Sequence, residues 1–382
     1  TGGRIRHAPG ATPVFLMTIT GADPELVRRA LDTGEPLPGT NGFAGELDGR
    51  LVRDVLGRVP LFFDGQEWSH RPSDLADPTR LPAGHVRADG ELTERFSLPD
   101  PDPVEVDEGV AAVRDAVRTA VDSVDPTGHA IAFSGGLDSA ILAARLDAPL
   151  YTVGFPDSHD IEAARTAAAL LDRDLTVVTL DRERLERALP EVVAATGRTN
   201  AMDIQIALPL YVLAKTVRAD GYDRLVLGQG ADELFGGYAK VARAPDDPRV
   251  EAETVRGARR EMIETLPAQL ERDVLTLWHG GVEPVVPLLS DAVARAALAL
   301  PAEALVTDRG ERKWALRLAS RPFLPDRIAF REKKAVQYGS LVARELDRLA
   351  RERGFKRRQD DHVTAFVESI TTEDDRPGPT QG

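Results

Sequence analysis

The sequence contains no cysteine, and only six of its 382 residues are lysines. The lack of cysteine excludes disulfides, thiolate metal sites, cysteine nucleophiles and persulfide sulfur carriers. No apolar run reaches the roughly 18 residues that a membrane-spanning helix needs. No signal-peptide pattern opens the sequence either. We therefore expect a soluble, cytoplasmic protein with no membrane partner.

Acidic residues outnumber basic residues by 62 to 48, which gives a formal net charge of −14. This charge disfavours a nucleic-acid partner, because binding to a phosphate backbone depends on clustered basic residues. The one basic cluster, at 351–358, is expected to be a solvated helix end. An acidic, lysine-poor composition is typical of halophile proteins, and a GC-rich genome also exchanges lysine for arginine, so the composition leaves both explanations open.

A glycine-rich loop follows the apolar run at 130–133, and a helical pattern at 137–146 comes directly after it. Strand, loop and helix in this order form an anion site, because glycine lets bare backbone N–H groups approach phosphate oxygens. An aspartate in such a loop repels phosphate, so Asp138 implies an intervening Mg²⁺. The motif predicts a bound pyrophosphate group, and its six expected contact residues are Ser134, Gly135, Gly136, Leu137, Asp138 and Ser139.

A second glycine-rich loop, Gly-Gln-Gly-Ala-Asp-Glu-Leu-Phe-Gly-Gly-Tyr at 228–238, follows the predicted strand at 224–227. The carboxyl ends of parallel strands meet at one edge of a sheet, so both loops are expected there. Asp232 then faces Asp138 across a shared Mg²⁺. The further ligand-binding residues expected in this loop are Gly228, Gln229 and Gly230.

Strand-like and helical segments alternate from 104 to 227, which predicts an α/β fold with a doubly wound parallel sheet. Predicted helices lie at 104–124, 160–171, 185–195 and 204–219, and predicted strands at 130–133, 150–155, 175–180 and 224–227. A helical C-terminal part is expected at 250–264, 266–279, 290–300, 306–319 and 341–353. We predict this domain over 104–370 and a disordered polar tail over 371–382.

Short apolar runs separated by glycine and proline occupy residues 1–103, which predicts a small, mainly antiparallel β domain. The runs lie at 14–19, 42–47, 50–55 and 59–63. Asp-Pro-Asp-Pro at 100–103 is expected to be a linker.

Taken together, the two glycine-rich loops resemble those of the glutamine-dependent asparagine synthetase and β-lactam synthetase family, which is of the ATP pyrophosphatase type. The resemblance runs from about 105 to 345. It implies an enzyme that uses ATP and Mg²⁺ and releases AMP and pyrophosphate. The segment that begins at Tyr151 resembles the family's second strand, where adenosine is held. This match implies ATP contacts from Val153, Gly154 and Phe155.

Three later segments also resemble family motifs. Glu283 and Pro287 match Glu-x-Arg-x-Pro-Phe-Leu-Asp, and Lys313 opens a Lys-x-x-Leu-Arg motif. Lys333 ends an Arg-x-Lys motif that contacts the α-phosphate in the family. The resemblance implies catalytic roles for Lys333, Glu283 and Lys313.

The chain departs from these motifs at a few positions. Val285, Leu288 and Ser290 replace the arginine, phenylalanine and final aspartate of the first motif, and Gln229 replaces a glutamate of the second glycine-rich loop. These changes leave open an altered substrate or a non-catalytic relative.

The segments at 45–63 and 81–85 resemble the later half of class II glutamine amidotransferase domains. The glutaminase nucleophile of that family is an N-terminal cysteine, whereas this chain begins with Thr1. A threonine can serve with its own amine as the base. Nothing downstream supplies the rest of a glutaminase site, so we expect that Thr1 only follows a removed initiator methionine and that this domain is a structural remnant.

The leading hypothesis is an amide ligase in which a small carboxylate, aspartate or an analogue, attacks the α-phosphorus of ATP. Ammonia or an amine then displaces AMP, and glutamine is not the donor. A β-lactam-synthetase-like or other carboxylate–amine ligase is the alternative. Other classes are a tRNA-modifying ATP pyrophosphatase, which the charge and the lack of cysteine disfavour, and a non-catalytic nucleotide-binding paralogue. A homodimer is compatible with the sequence.

Overall fold

The computed structural model describes residues 18–156, 158–244, 246–247, 249, 251–331, 337–356 and 361–374. The side chains of 337–340 and 371–374 lie outside this description. Thr1 and Lys333 therefore fall outside the described residues, as does most of the predicted tail. Within the described part, no helix combines the length and the apolar character that a membrane span requires.

Two antiparallel sheets form the N-terminal domain, as the glycine-punctuated apolar runs predicted. The strands are β1 Thr18–Thr20, β2 Ala44–Leu47, β3 Arg50–Arg53, β4 Phe62–Asp64, β5 Glu67–Ser69, β6 Thr79–Arg80, β7 His85–Ala88 and β8 Glu91–Glu94. One sheet has the order β1-β2-β3-β7-β8 and the other the order β5-β4-β6. A 3₁₀ turn lies at Pro72–Asp74.

Helix α1, Pro24–Thr33, covers the larger sheet and was not predicted from the sequence. The Asp23 side chain accepts hydrogen bonds from the backbone N–H groups of Glu25 and Leu26, and Pro24 occupies the first turn. Both features favour a helix start, because they satisfy or remove unpaired N–H groups. Val27 and Leu31 pack in the same hydrophobic cluster as Phe43.

A parallel sheet forms the centre of the second domain, as the alternating pattern predicted. Its strands are β9 His129–Ala132, β10 Leu150–Gly154, β11 Leu175–Thr179, β12 Arg224–Val226 and β13 Glu283–Val285. Their order is β11-β10-β9-β12-β13, and every pair is parallel. The strand order reverses between β9 and β12. Such a switch point opens a crevice for a ligand beyond the carboxyl ends of the strands.

Helices cover both faces of this sheet. They are α2 Val106–Asp122, α3 Leu137–Ala143, α4 His159–Leu170, α5 Arg182–Thr196, α6 Ala201–Ala219, α7 Ala231–Leu234, α8 Ala239–Ala242, α9 Val255–Glu264, α10 Leu266–Gly280, α11 Asp291–Leu298, α12 Ala302–Leu305, α13 Trp314–Ser320, α14 Asp326–Ala329, α15 Gln337–Glu352 and α16 His362–Asp374. Ile131 joins the core cluster on one face of β9, and Ala130 joins the cluster on the other. Burial on both faces is characteristic of a doubly wound sheet.

Some predicted boundaries differ from the structure. The predicted helix at 306–319 is wrong in its first half, where Val306 instead forms an antiparallel bridge with Arg312 around a turn. Gly310 has φ +80° in that turn, a conformation that interrupts a helix. Helix α16 continues to Asp374, into the segment that we expected to be a disordered tail.

Arg58 joins the two domains from a fully buried position. Its Nε lies 2.9 Å from Oδ1 of Asp54, and its Nη2 lies 2.7 Å from Oδ1 of Asp291 in the second domain. Its Nη1 donates to the carbonyl oxygen of Leu289 at 2.8 Å. The other oxygen of Asp291 accepts from the backbone N–H of Thr40 at 2.6 Å. Arg58 and Asp54, which both lie in the segment at 45–63, therefore help to build the interface between the two domains.

We expect Arg58→Met to lower the free energy of unfolding by about 3 kcal/mol, because two buried carboxylates would lose their counter-ion. The midpoint of urea denaturation measures the effect. Glu35→Gln is the matched control, since Glu35 forms an exposed pair with Arg295 across the same interface, and this pair is expected to contribute less than about 1 kcal/mol. Equal shifts in the two variants would contradict a structural role for the buried network.

Candidate active site

The loop between β9 and α3 is held in shape by its own serines. Ser139 Oγ accepts from the backbone N–H of Ser134 and donates to the carbonyl oxygen of Gly136, both at 3.2 Å. Ser134 Oγ lies 3.2 Å from Ser139 Oγ and accepts from the Gly136 N–H at 3.4 Å. The hydroxyls that the sequence suggested as phosphate donors thus close the loop in this structure.

Two glycines allow backbone segments to approach closely at this site. Gly135 has φ +70°, and a Cβ there would lie 2.7 Å from the carbonyl oxygen of Ala163 in α4. A Cβ on Gly228 would lie 2.8 Å from Cβ of Asp138. Real Cβ atoms do not tolerate such contacts, so both positions require glycine. Gly228 therefore brings the two glycine-rich loops into direct contact.

Lys313 lies between the two aspartates that the sequence assigned to a metal ion. Its Nζ is 2.8 and 2.7 Å from Oδ1 and Oδ2 of Asp138 and 2.8 Å from Oδ1 of Asp232. The Lys313 side chain is only 4% exposed, whereas Asp138 and Asp232 are 21% and 25% exposed. Burial disfavours the ammonium form, but the two carboxylates outweigh that effect and raise the pKa of Lys313. A buried cation therefore joins the two loops at the switch point of the sheet.

The backbone of Lys313 adopts the left-handed conformation, with φ +58°. This conformation is unfavourable for a side chain other than glycine or a short polar residue. Lys313 directly precedes α13, and its carbonyl oxygen accepts from the N–H of Arg317 at 2.9 Å. The contacts of the ammonium group with Asp138 and Asp232 offset the cost of this backbone conformation. Strained backbone conformations of this kind cluster at functional sites.

The Asp138 and Asp232 carboxylates could also accept a metal ion. Each carboxylate oxygen has two lone pairs, and Lys313 Nζ contacts one lone pair on each of three oxygens, Oδ1 and Oδ2 of Asp138 and Oδ1 of Asp232. Mg²⁺ prefers oxygen ligands and binds through one or two carboxylates together with phosphates and waters. No cluster of three or more potential metal ligands occurs among the residues that the structure describes. The donor set therefore fits Mg²⁺ bound jointly with a phosphate group.

In the side-chain amide of Gln229, the nitrogen has a hydrogen-bond partner and the oxygen has none in the described structure. Its Nε2 donates to Oδ2 of Asp273 at 2.5 Å. Its Oε1 is buried and has no hydrogen-bond partner in the described structure. A buried acceptor without a donor costs about 1–3 kcal/mol, so this oxygen is suited to receive a donor from a ligand.

Buried Glu233 and half-buried Tyr238 form a pair in the second loop that the sequence interpretation missed. The Tyr238 hydroxyl donates to Oε1 of Glu233. Burial raises the pKa of Glu233, although the hydrogen bond from Tyr238 opposes the shift. The pair bridges the first turn of α7 to the end of the loop. Tyr238 lies outside α7, so helical spacing gave no signal for this pair in the sequence.

The residues assigned to adenosine lie at the end of β10, next to β9. Val153 and Gly154 end the strand, and Gly154 is buried. Phe155 follows them and lines a cavity of about 560 Å³ together with His159 of α4 and Arg344 of α15. The structure therefore places this group at the same sheet edge as both glycine-rich loops.

The structure does not bring Glu283 to that edge. Glu283 begins β13 and pairs with Arg224, the first residue of β12. The glycine-rich loop 228–238 follows the other end of β12, because the strands are parallel. The Oε2 atom of Glu283 accepts from the Trp278 indole at 2.8 Å, and the residue is exposed. Its catalytic role stays a prediction on which the arrangement of Asp138, Asp232 and Lys313 does not depend.

The other departures from the family motifs have local explanations. Ser290 caps α11 by accepting from the N–H of Val293 at 3.3 Å, and serine and aspartate are both good helix caps. Val285 ends the edge strand β13, and Leu288 is buried. Lys333 is outside the described residues. Arg331, which opens its motif, donates to the carbonyl oxygen of Ala163 at 3.4 Å, beside Gly135.

Comparison with known proteins agrees with these features. The family model described as asparagine synthase matches residues 110–259 and 242–372. The chain belongs to the asparagine synthase family. The match includes both glycine-rich loops and Lys313, so the cluster described above lies within the family domain.

Relatives of this asparagine synthase domain occur in bacteria and archaea. A protein of Methanocaldococcus jannaschii, assigned as a glutamine-hydrolysing asparagine synthetase, is 30% identical over 68% of this chain and 53% of its own length. The glutamine-hydrolysing asparagine synthetase B of Escherichia coli is 26% identical over 84% of this chain and 65% of its own length. The chain therefore spans about half to two thirds of these relatives.

Among solved structures, the NMN synthetase of Francisella tularensis is 12% identical, covers 73% of this chain and 99% of its own, and has a TM-score of 0.29. A likeness of that size carries no argument about function.

Proposed function

We propose that this protein is an ATP-dependent amide ligase of the asparagine synthetase type. A substrate carboxylate is joined to the α-phosphate of ATP with release of pyrophosphate, and ammonia or an amine then displaces AMP to form the amide. The observation that carries this proposal is the buried Lys313 ammonium between Asp138 and Asp232, where two glycine-rich loops meet. Membership of the asparagine synthase family supports it.

In the proposed site, the backbone N–H groups of the first loop contact the phosphates of ATP. Asp138 and Asp232 would hold Mg²⁺, which would supply positive charge near the pyrophosphate leaving group. Lys313 adds a further fixed cation and keeps the two loops together. Phe155 and the cavity beside it receive the adenosine. Lys333 is proposed to contact the α-phosphate, on the strength of its motif alone.

Aspartate is the proposed carboxylate substrate, and ammonia or an amine is the proposed nitrogen donor. The unpaired Oε1 of Gln229 is available to an N–H group of either substrate. We propose a cytoplasmic location. The sequence has no cysteine, so no disulfide requires an oxidising compartment.

The assay that tests this function measures AMP, pyrophosphate and amide product with ATP, Mg²⁺ and aspartate. Ammonium and glutamine are compared as nitrogen donors, at low and at molar salt. We expect product with ammonium and none with glutamine, because the chain has no cysteine to act as the glutaminase nucleophile.

A reaction without aspartate serves as the control for uncoupled ATP hydrolysis. Glutamine-driven synthesis by this chain would contradict the proposed donor. Failure to release pyrophosphate with a panel of amino-acid and other small carboxylates would contradict the ligase itself.

A further inference from the structure

A network of ion pairs, which ends in one hydrogen bond, connects the surface of the N-terminal domain to the second glycine-rich loop. It starts at Arg80 in β6, whose Nη2 donates to Oε1 of Glu271 in α10 at 2.7 Å. The same Glu271 oxygen accepts from Nη2 of Arg198 at 3.1 Å. Arg80 is 47% exposed, but Glu271 is only 3% exposed. A surface residue of one domain thus contacts a buried carboxylate of the other.

The network continues through Asp203 at the start of α6. Nη1 of Arg198 contacts Oδ2 of Asp203 at 3.0 Å, and Oδ1 of Asp203 accepts from Nη1 of Arg272 at 2.9 Å. Nε of Arg272 donates to Oδ1 of Asp273 at 2.7 Å. Oδ2 of Asp273 then accepts from Nε2 of Gln229, which belongs to the loop. Each carboxylate in this network accepts hydrogen bonds from two neighbouring side chains, so its position depends on both of them.

The other side of the same loop is also held by the N-terminal domain. Gly230 has φ +86°, and its Cα faces the Leu289 side chain so closely that a Cβ would overlap it. The carbonyl oxygen of Leu289 accepts the hydrogen bond from Arg58. Gln229 and Gly230 are therefore held by two separate groups of contacts that both begin in the N-terminal domain.

We propose that the N-terminal domain has a function that does not require glutaminase chemistry: through Arg80 and Arg58 it positions the loop 228–238, which carries Asp232. Arg80 is then a positioning residue that acts on Gln229 through Glu271 and Asp273. The inference rests on the proposed function only for the role of the loop in binding phosphate and metal.

Hydrogen exchange of the backbone amides in 228–238 tests the proposal on the full chain, without ligands. We expect Arg80→Met to make these amides exchange about tenfold faster, because breaking one member of a network loosens the others. Arg80→Lys should restore part of the protection, since it keeps the charge but loses the two parallel hydrogen bonds of the guanidinium group to Glu271. Glu35→Gln is the matched control: it removes another interdomain ion pair, with Arg295, that does not reach the loop.

A second variant interrupts the ion-pair network in its middle. Asp203→Asn removes the charge shared by Arg198 and Arg272 and should also loosen the loop. The double variant of Arg80→Met and Asp203→Asn should exchange no faster than the faster single variant, because both break one path. Asp203→Asn combined with Glu35→Gln should exchange at the rate of Asp203→Asn alone, because the Glu35–Arg295 pair does not reach the loop.

Equal exchange of the loop in Arg80→Met and Glu35→Gln, or additive effects of Arg80→Met and Asp203→Asn, would overturn the proposal. The exchange measurement does not require an active enzyme. A negative ligase assay would therefore count against the proposed function but would not affect the test of loop positioning. Where the ligase is active, Arg80→Met should also lower kcat, with Glu35→Gln unchanged.

Discussion

Lys313→Met is expected to abolish ligase activity, with kcat lower by at least about 10²–10³-fold. The substitution removes the buried cation between Asp138 and Asp232 and keeps a side chain of similar length. The two carboxylates would then repel each other. We therefore also expect a loss of about 3 kcal/mol in the free energy of unfolding in metal-free buffer. Thermal unfolding and AMP release measure the two effects.

Magnesium separates the structural and the chemical consequences of this change. In the native protein Mg²⁺ must share the carboxylates with the ammonium group, whereas in Lys313→Met this competition from the ammonium group is removed. Added Mg²⁺ should therefore raise the melting temperature of Lys313→Met more than that of the native protein, without restoring turnover.

Lys215→Met is the control for the loss of a lysine, because Lys215 lies exposed on α6. It should change neither stability nor activity. Full activity of Lys313→Met would show that the buried cation has no part in the reaction. A melting temperature insensitive to Mg²⁺ in both proteins would refute the proposed metal ligands.

Asp138→Asn and Asp232→Asn are each expected to lower ATP-dependent turnover by about 10³-fold or more. Each replaces one charged oxygen donor of the proposed metal site with a neutral amide of the same shape. The fold should remain intact, because Lys313 keeps the second aspartate as its partner. Pyrophosphate release, together with circular dichroism as a measure of folding, tests this expectation.

Asp147→Asn provides a matched control, since Asp147 is fully exposed and its nearest arginine nitrogen is 3.9 Å away. This variant should behave as the native protein. Near-normal turnover in either Asp138→Asn or Asp232→Asn would refute the metal site shared by the two loops.

The sequence was sufficient to predict the parallel sheet and the two glycine-rich loops. Their signals are local: an apolar run, then glycines, then a helical period, within a short stretch of chain. Topology then requires that loops after parallel strands share one edge, which is why Asp138 and Asp232 could be paired without a structure. The antiparallel nature of the N-terminal sheets followed from a similarly local pattern of short runs and turns.

Long-range side-chain contacts could not be predicted in the same way. The motif identified Lys313 as important, but only the path of the chain before α13 places its ammonium between the two aspartates. Glu283 looked like a site residue by its motif, yet strand direction places it at the other end of the sheet. The partner of Gln229, Asp273, is likewise chosen by the packing of α10.

By itself, therefore, the sequence determined the fold class, the family motifs and the sheet edge at which the site lies, because these depend on periodicity and on residues close together in the chain. The tertiary structure alone decided which charges neutralise one another. Arg58 with Asp291 and Arg80 with Glu271 join residues of different domains. An ion pair depends on a few ångströms of separation and on burial, and neither quantity is written in local sequence.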